Sequence, residues 1–255
     1  MKNNKKSPLK ERPLHVAGQS LDDLIQKNIS EDTTMLFFLP GILIIMTVLT
    51  WLTRNSSPRY LPLMMLIITI ITTVYCTYKL IILWKKIKSL KLGRNGERIV
   101  AEIFDDLRSK GFVVFHDIVA DNFNVDHVIL TPHGLFTVET KTFSKSPKDI
   151  ITFKDEEIIA CNINLGNKII LQAESQSKWL KSILKDSTGK NYHVMPVIVF
   201  PGWFVQPMPE NLKKRIWILN PQALPSFINN KPKTINESDM HLAAFHISRY
   251  IRTHN

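Results

Sequence analysis

Cysteine is almost absent: Cys76 and Cys161 are the two in 255 residues. A disulfide framework needs more of them, and so does a cysteine-based zinc site, so both are excluded. Nor do His116, His127, His133 and His193 supply a zinc pattern, since no two stand four apart on one helical face. No internal repeat and no low-complexity tract occurs. Acidic residues are missing altogether from two apolar runs, 35–53 and 61–84, of 19 and 24 residues. Each run is close to the roughly 20 residues a membrane-spanning helix needs, which disfavours a wholly soluble, secreted or fibrous protein. A signal peptide fits the first run poorly. Asp22, Asp23, Glu31 and Asp32 precede it, and no small-residue cleavage site follows.

What is present completes that picture. Between the runs lies a short polar turn, Thr53-Arg54-Asn55-Ser56-Ser57-Pro58-Arg59-Tyr60, whose length forces an antiparallel helical hairpin. Pro40-Gly41 would kink a soluble helix but is tolerated in a membrane one. Lys85, Lys86, Lys88, Lys91 and Arg94 follow the second run, whereas the turn carries only Arg54 and Arg59. The positive-inside bias then places the long C-terminal part, and with it the N-terminus, in the cytoplasm of a bacterial-type inner membrane. Lys79 can snorkel to the interface, and the lysines at 85–91 are expected to anchor the topology against lipid headgroups and only secondarily to contact nucleic acid. The whole chain carries a formal charge of +11, and from Lys85 onward 24 basic residues oppose 17 acidic ones. Such a surplus favours acidic partners, nucleic acid or anionic lipid.

The remainder reads as one domain. Asn95 is expected to cap a helix over 96–109, with Ile99, Val100, Ile103, Phe104 and Leu107 as its apolar stripe. Three strands are expected at 112–119, 125–131 and 135–142, then a weaker hairpin at 151–153 and 157–162. A helix over 168–185, a strand at 194–200, a short strand at 216–219 and a helix near 238–252 complete the order. The fold class is therefore α/β, a mixed sheet flanked by helices. The divisions are a polar segment 1–34, the hairpin 35–84, a basic linker 85–93, a domain 94–205, and a flanking strand and helix in 206–255.

The acidic residues carry the functional signal. In Leu135-Phe136-Thr137-Val138-Glu139-Thr140-Lys141, strand alternation puts Glu139 and Lys141 on one face and Phe136 and Val138 on the other. If Thr131-Pro132-His133-Gly134 forms a tight turn pairing Leu130 with Leu135, the same register sets Asp126 opposite Glu139. Facing carboxylates destabilise a sheet unless something offsets them. A hard divalent cation, Mg²⁺ or Mn²⁺, is the natural offset, and Lys141 could orient a water beside it. The plainer alternative is a Glu139–Lys141 ion pair with Asp126 solvated, since a one-residue slip moves Asp126 away. Glu97 lies at the edge of the first helix's stripe, where a carboxylate needs a partner or simply favours a helix N-terminus. His127 points away from Asp126 and reads as packed or solvated, and His133 reads as exposed. Trp203, Phe204 and Trp217, near Lys213-Lys214-Arg215, read as core rather than as a nucleic-acid surface.

Three motifs, Gly93-Arg94-Asn95-Gly96-Glu97, Asn124-Val125-Asp126-His127-Val128-Ile129-Leu130 and Gly134-Leu135-Phe136-Thr137-Val138-Glu139-Thr140-Lys141, resemble the nuclease-related domain, NERD. That domain is a variant of the PD-(D/E)XK nuclease fold, with an αβββαβ, restriction-endonuclease-like core. The resemblance covers about residues 93–200, with Val125 where the motif has proline. It implies that Asp126 and Glu139 bind Mg²⁺, that Lys141 assists the nucleophilic water, and that Glu97 matches the helical glutamate. By the same likeness Gln172 matches a glutamine that some relatives place near the site; a polar surface position is its alternative. The expectation is a membrane-anchored, Mg²⁺-dependent nuclease acting on nucleic acid, DNA first. Its rival is a silent membrane-tethered module that binds nucleic acid or protein.

Overall fold

The computed structural model describes residues 14–53, 55, 58–120, 122–144, 150–154, 157–160 and 163–254. They form two compact units. One comprises Ser20–Leu92, and the other joins the described residues up to Gln19 with those from Gly93 onward.

The first unit is built on two helices, α1 (Gln19–Leu52) and the larger part of α2 (Leu61–Arg108). Both are long and apolar enough to cross a membrane, by length and composition. Their large apolar side chains, among them Phe37, Ile45, Leu63 and Ile71, are exposed rather than packed into a core. Hydroxyls within the apolar stretches are satisfied locally: Thr47 and Thr73 each donate to the carbonyl four residues back. Thr47 Oγ1 also lies 2.7 Å from Thr69 Oγ1, a polar tie between the helices. Pro40 sits inside α1 without ending it.

One expectation is corrected here. Asn95 caps nothing, because α2 runs unbroken through 85–95 to Arg108. Lysine, leucine and isoleucine in this stretch are adequate helix formers. Each glycine, Gly93 and Gly96, weakens the helix by only about 1 kcal/mol. Glu97 therefore lies in mid-helix, and a helix N-terminus cannot account for it.

In the globular unit, the main sheet has the order β1-β2-β3-β7-β9. Its strands are β1 (Val113–Val119), β2 (Asn124–Thr131), β3 (Gly134–Thr140), β7 (Val194–Val199) and β9 (Trp217–Leu219). The first three are antiparallel neighbours, and β7 and β9 add in parallel. Leu130 pairs with Leu135 across the Thr131–Gly134 turn, as the turn chemistry predicts. On one face, Val100, Phe104 and Leu107 of α2 meet Ile129, Phe136 and Val138, together with Leu224 and Ile228 of α5 (Leu224–Asn229). On the other, Leu180 and Leu184 of α3 (Lys168–Thr188) join Ala243 and Ile247 of α6 (Glu237–His254) against Val128, Leu130 and Leu135.

The second sheet, order β6-β5-β4-β8, differs from the expectation of a single sheet. It comprises β4 (Ile150–Lys154), β5 (Glu157–Ala160), β6 (Ile163–Gly166) and β8 (Phe204–Val205). Strands β6 and β8 are too short and too weakly patterned to read from sequence. Its core residues Ile151 and Ile158 pack with Ile170, Phe200 and Trp203. Trp203 and Trp217 are core, as expected, whereas Phe204 is exposed. The short helix α4 (Glu210–Lys213) precedes β9. His133 departs from the exposed position expected of it. It is half-buried, and its Nδ1 lies 2.5 Å from the Lys231 carbonyl oxygen.

Candidate active site

Register brings the acidic residues together. Between the pairs His116↔His127 and Ile118↔Val125, Asp117 of β1 faces Asp126 of β2. One step beyond the pair His127↔Val138, Asp126 faces Glu139 of β3. Three carboxyl-bearing residues thus stand abreast on adjacent strands. Glu97 of α2 is the fourth, 8% exposed and within electrostatic reach of Asp117 and Glu139.

Its approach depends on Gly96. A Cβ there would lie 1.9 Å from Thr142 Oγ1, so only glycine lets this turn of α2 come against the end of β3. Asp117 is the one non-glycine residue with positive φ among the described residues, at 49°, and it is buried. Aspartate is among the few side chains that tolerate that conformation. Its Oδ1 accepts from Asn124 Nδ2 at 3.3 Å.

Helix α3 supplies the amides. Gln172 Nε2 donates to Glu139 Oε1 at 2.8 Å, and Gln176 Nε2 donates to Glu139 Oε2 at 2.5 Å and to the Asn124 carbonyl at 2.9 Å. Lys141 Nζ lies 2.5 Å from Glu139 Oε1 and 3.2 Å from Gln172 Oε1. An ammonium has three donors, and among the described residues these contacts use two of them. Asp126, half-buried, accepts from the Thr140 backbone amide at 2.7 Å. The five residues singled out from sequence, Glu97, Asp126, Glu139, Lys141 and Gln172, therefore share one neighbourhood.

Asp117 and Gln176 were not anticipated as site residues. An acidic residue inside the apolar strand sequence Val113–Val119 was one signal. The other was Gln176, four residues after Gln172 and on the buried face of α3 with Ala173 and Leu180.

Charge crowding shows in the titration of the cluster. Burial first, then Asp117 and Glu139, raise Glu97 from its ordinary 4.5 to about 8, opposed by a backbone hydrogen bond from Gly18 and by Lys141. Burial, then Glu139 and Glu97, push Asp126 well above its usual range, against the pull of the Thr140 amide and Lys141. Behind the strands, His127 is fully buried, edge-on to Phe104, with its Nδ1 2.8 Å from His116 Nδ1. Burial holds His127 well below 6.5 and His116 at about 4, so this pair is neutral. His127 Nε2 lies 3.3 Å from Thr140 Oγ1, which ties the pair to the residue whose amide holds Asp126.

The donor set suits a hard divalent cation. Carboxylate oxygens are its preferred ligands, and a cation would offset the burial and charge crowding that raise Glu97 and Asp126. Gln176 Oε1, also a hard donor, is buried with no hydrogen-bond partner among the described residues. The fit is one of chemistry, since among the described residues no three His, Cys, Asp or Glu side chains are grouped closely enough to hold a metal as they stand.

The α/β domain thus brings carboxylates of β1, β2 and β3, the lysine that follows β3 and two amides of α3 to one place, and a comparison with protein families covers the same segment. Residues 92–201 match the family model of the nuclease-related domain, NERD. That stretch contains all seven residues just described. Comparison with curated proteins and with solved structures finds no match. The matched segment is similar to a nuclease-related domain, and the likeness suggests interaction with nucleic acid.

Proposed function

We propose that the chain is a membrane-anchored nuclease that uses Mg²⁺ or Mn²⁺ to hydrolyse phosphodiester bonds, with DNA as the first substrate to test. The observation that carries this reading is the meeting of Glu97, Asp126 and Glu139 beside Lys141 within the nuclease-related segment. The order α2, β1, β2, β3, α3, β7 supports a PD-(D/E)XK, restriction-endonuclease-like core, with the second sheet inserted between β3 and α3.

Asp126, Glu139 and Glu97 would hold the cation, which supplies positive charge and Lewis acidity at the scissile phosphate. Lys141 uses its remaining donor to hold the attacking water or a phosphate oxygen, stabilising charge as it develops. Glu139 and Gln172 fix the ammonium, and Gln176 fixes Glu139. Glutamine amides suit that task because they hold the carboxylate without adding charge to a crowded cluster. The apolar, outward-facing helices α1 and α2 support a hairpin in the bilayer, and the lysines of 85–91 support a cytoplasmic domain.

The test is a cleavage assay of the full chain in detergent on duplex DNA, single-stranded DNA and RNA, with Mg²⁺, Mn²⁺ or chelator. Asp126→Asn and Lys141→Ala are expected to lower cleavage at least about 100-fold, the scale of losing a transition-state contact. Undiminished cleavage by either variant rejects the assignment. Calorimetric Mn²⁺ titration separates this reading from the silent tethered module, which binds no cation.

A further inference from the structure

We propose that residues 15–18, which precede the first apolar helix and lie outside the nuclease-related match, form a built part of this site: Gly18 positions Glu97 and His15 positions Asp117. The inference rests on the reading of the carboxyl cluster as a divalent-cation site. It deepens that reading by naming positioning residues far from it in sequence.

Two contacts reach two different acidic residues. Gly18 donates its backbone N–H to the Glu97 carboxylate. Its φ of +73° is one that side-chain-bearing residues rarely adopt, and a Cβ there would stand 2.9 Å from Arg94 Cγ and 3.4 Å from the Arg94 carbonyl oxygen. Arg94 lies one helical turn before Glu97, so the space that glycine leaves is what lets the amide reach the carboxylate. Three residues earlier, His15 Nδ1 lies 2.9 Å from the carbonyl oxygen of Asp117. A carbonyl only accepts, so Nδ1 carries the proton of this bond. It anchors the backbone at the one described non-glycine residue with positive φ. Between the two contacts, Val16 is exposed while Ala17 is buried and seats the segment.

The segment therefore behaves as a strap fastened at both ends. A carboxylate held by a charge-assisted bond to a fixed amide is positioned more narrowly than one free to rotate. The strap leads directly into α1 at Gln19, so the chain that carries the apolar hairpin is also the chain that orients Glu97.

The test measures Mn²⁺ affinity of the full chain by calorimetry for wild type, Gly18→Val, His15→Ala and, as a control on the exposed strap residue, Val16→Ala. Hydrogen exchange of peptides covering 14–18 is measured in wild type and Glu97→Ala. Expected are a loss of Mn²⁺ affinity of about tenfold or more in the Gly18 and His15 variants, the scale seen when a group orienting a metal ligand is removed, and none in the control. Faster strap exchange in Glu97→Ala is expected alongside. If wild type binds Mn²⁺ and the strap variants bind it equally, or if Glu97→Ala leaves strap exchange unchanged, the strap proposal is overturned and the cation reading stands. If wild type binds no Mn²⁺, the cation reading itself falls and takes the positioning role with it.

Discussion

Replacing Glu97 by Gln should flatten the decline of stability with pH between 6.5 and 8 in cation-free buffer. The folded chain holds the Glu97 proton up to about 8, because burial and the facing Asp117 and Glu139 disfavour its charge, whereas the unfolded chain releases it near 4.5. Between those values the unfolded state binds fewer protons. Stability is thus greatest below 4.5, falls by up to about 1.4 kcal/mol per pH unit, and levels off above 8. His116 and His127 act oppositely. They are neutral when folded and protonated when unfolded, so they add stability as pH rises toward 6.5 and then drop out. From 6.5 to 8, Glu97 alone accounts for up to about 2 kcal/mol. At about 2–4 °C per kcal/mol for a domain of this size, that is a fall in Tm of about 4–8 °C. Asp126 shifts in the same direction in both chains, and in Glu97→Gln it loses one of its causes. Thermal unfolding followed by tryptophan fluorescence at pH 6.5, 7.25 and 8 measures the difference. On the proposed reading of the site, adding Mg²⁺ should raise Tm more at pH 8 than at 6.5, because a cation would bind deprotonated ligands. Parallel Tm curves for wild type and Glu97→Gln would refute the reasoning, since Glu97 would then be ionised in the folded state.

Two further outcomes are expected. Gly96→Ala, which helix propensity alone would favour by about 1 kcal/mol, should instead destabilise by about 1–3 kcal/mol because its Cβ meets Thr142 Oγ1 at 1.9 Å. Denaturant unfolding checks the sign, and Thr142→Gly in the same chain should restore stability. On the proposed topology, a reporter fused after Asn255 in a bacterial host should report the cytoplasmic side, the side favoured by the lysines that follow the second apolar run. A periplasmic signal would contradict the proposed topology.

Much of the domain was legible because its signals are local. Alternation in 135–141 and the turn at Thr131–Gly134 set the register of β2 against β3, and so the facing of Asp126 and Glu139. The apolar stripe of α2 named the side chains that cover the sheet, and the length of the two apolar runs announced the long helices. Tertiary contacts outweighed local signals elsewhere. Asn95 looked like a cap, yet the helix continues through it, since the packing of Val100 and Phe104 needs α2 in place and two glycines are too small a penalty to stop it. The second sheet was half visible, because strands as short as Phe204–Val205 have no periodicity to read and exist through their neighbours.

That Asp126, Glu139 and Lys141 lie on or beside neighbouring strands, and that Glu97 and Gln172 ride on helices, followed from the order of amino acids alone. Period-two and period-3.6 patterns act over a few residues and need nothing distant. That Glu97 is buried against Asp117, that Gln176 holds Glu139, and that Gly18 comes back to the site from before the first apolar helix were decided only by the folded chain. These contacts join residues remote in sequence, and their energies arise from burial and from charges brought close, neither of which exists until the sheet and helices have packed.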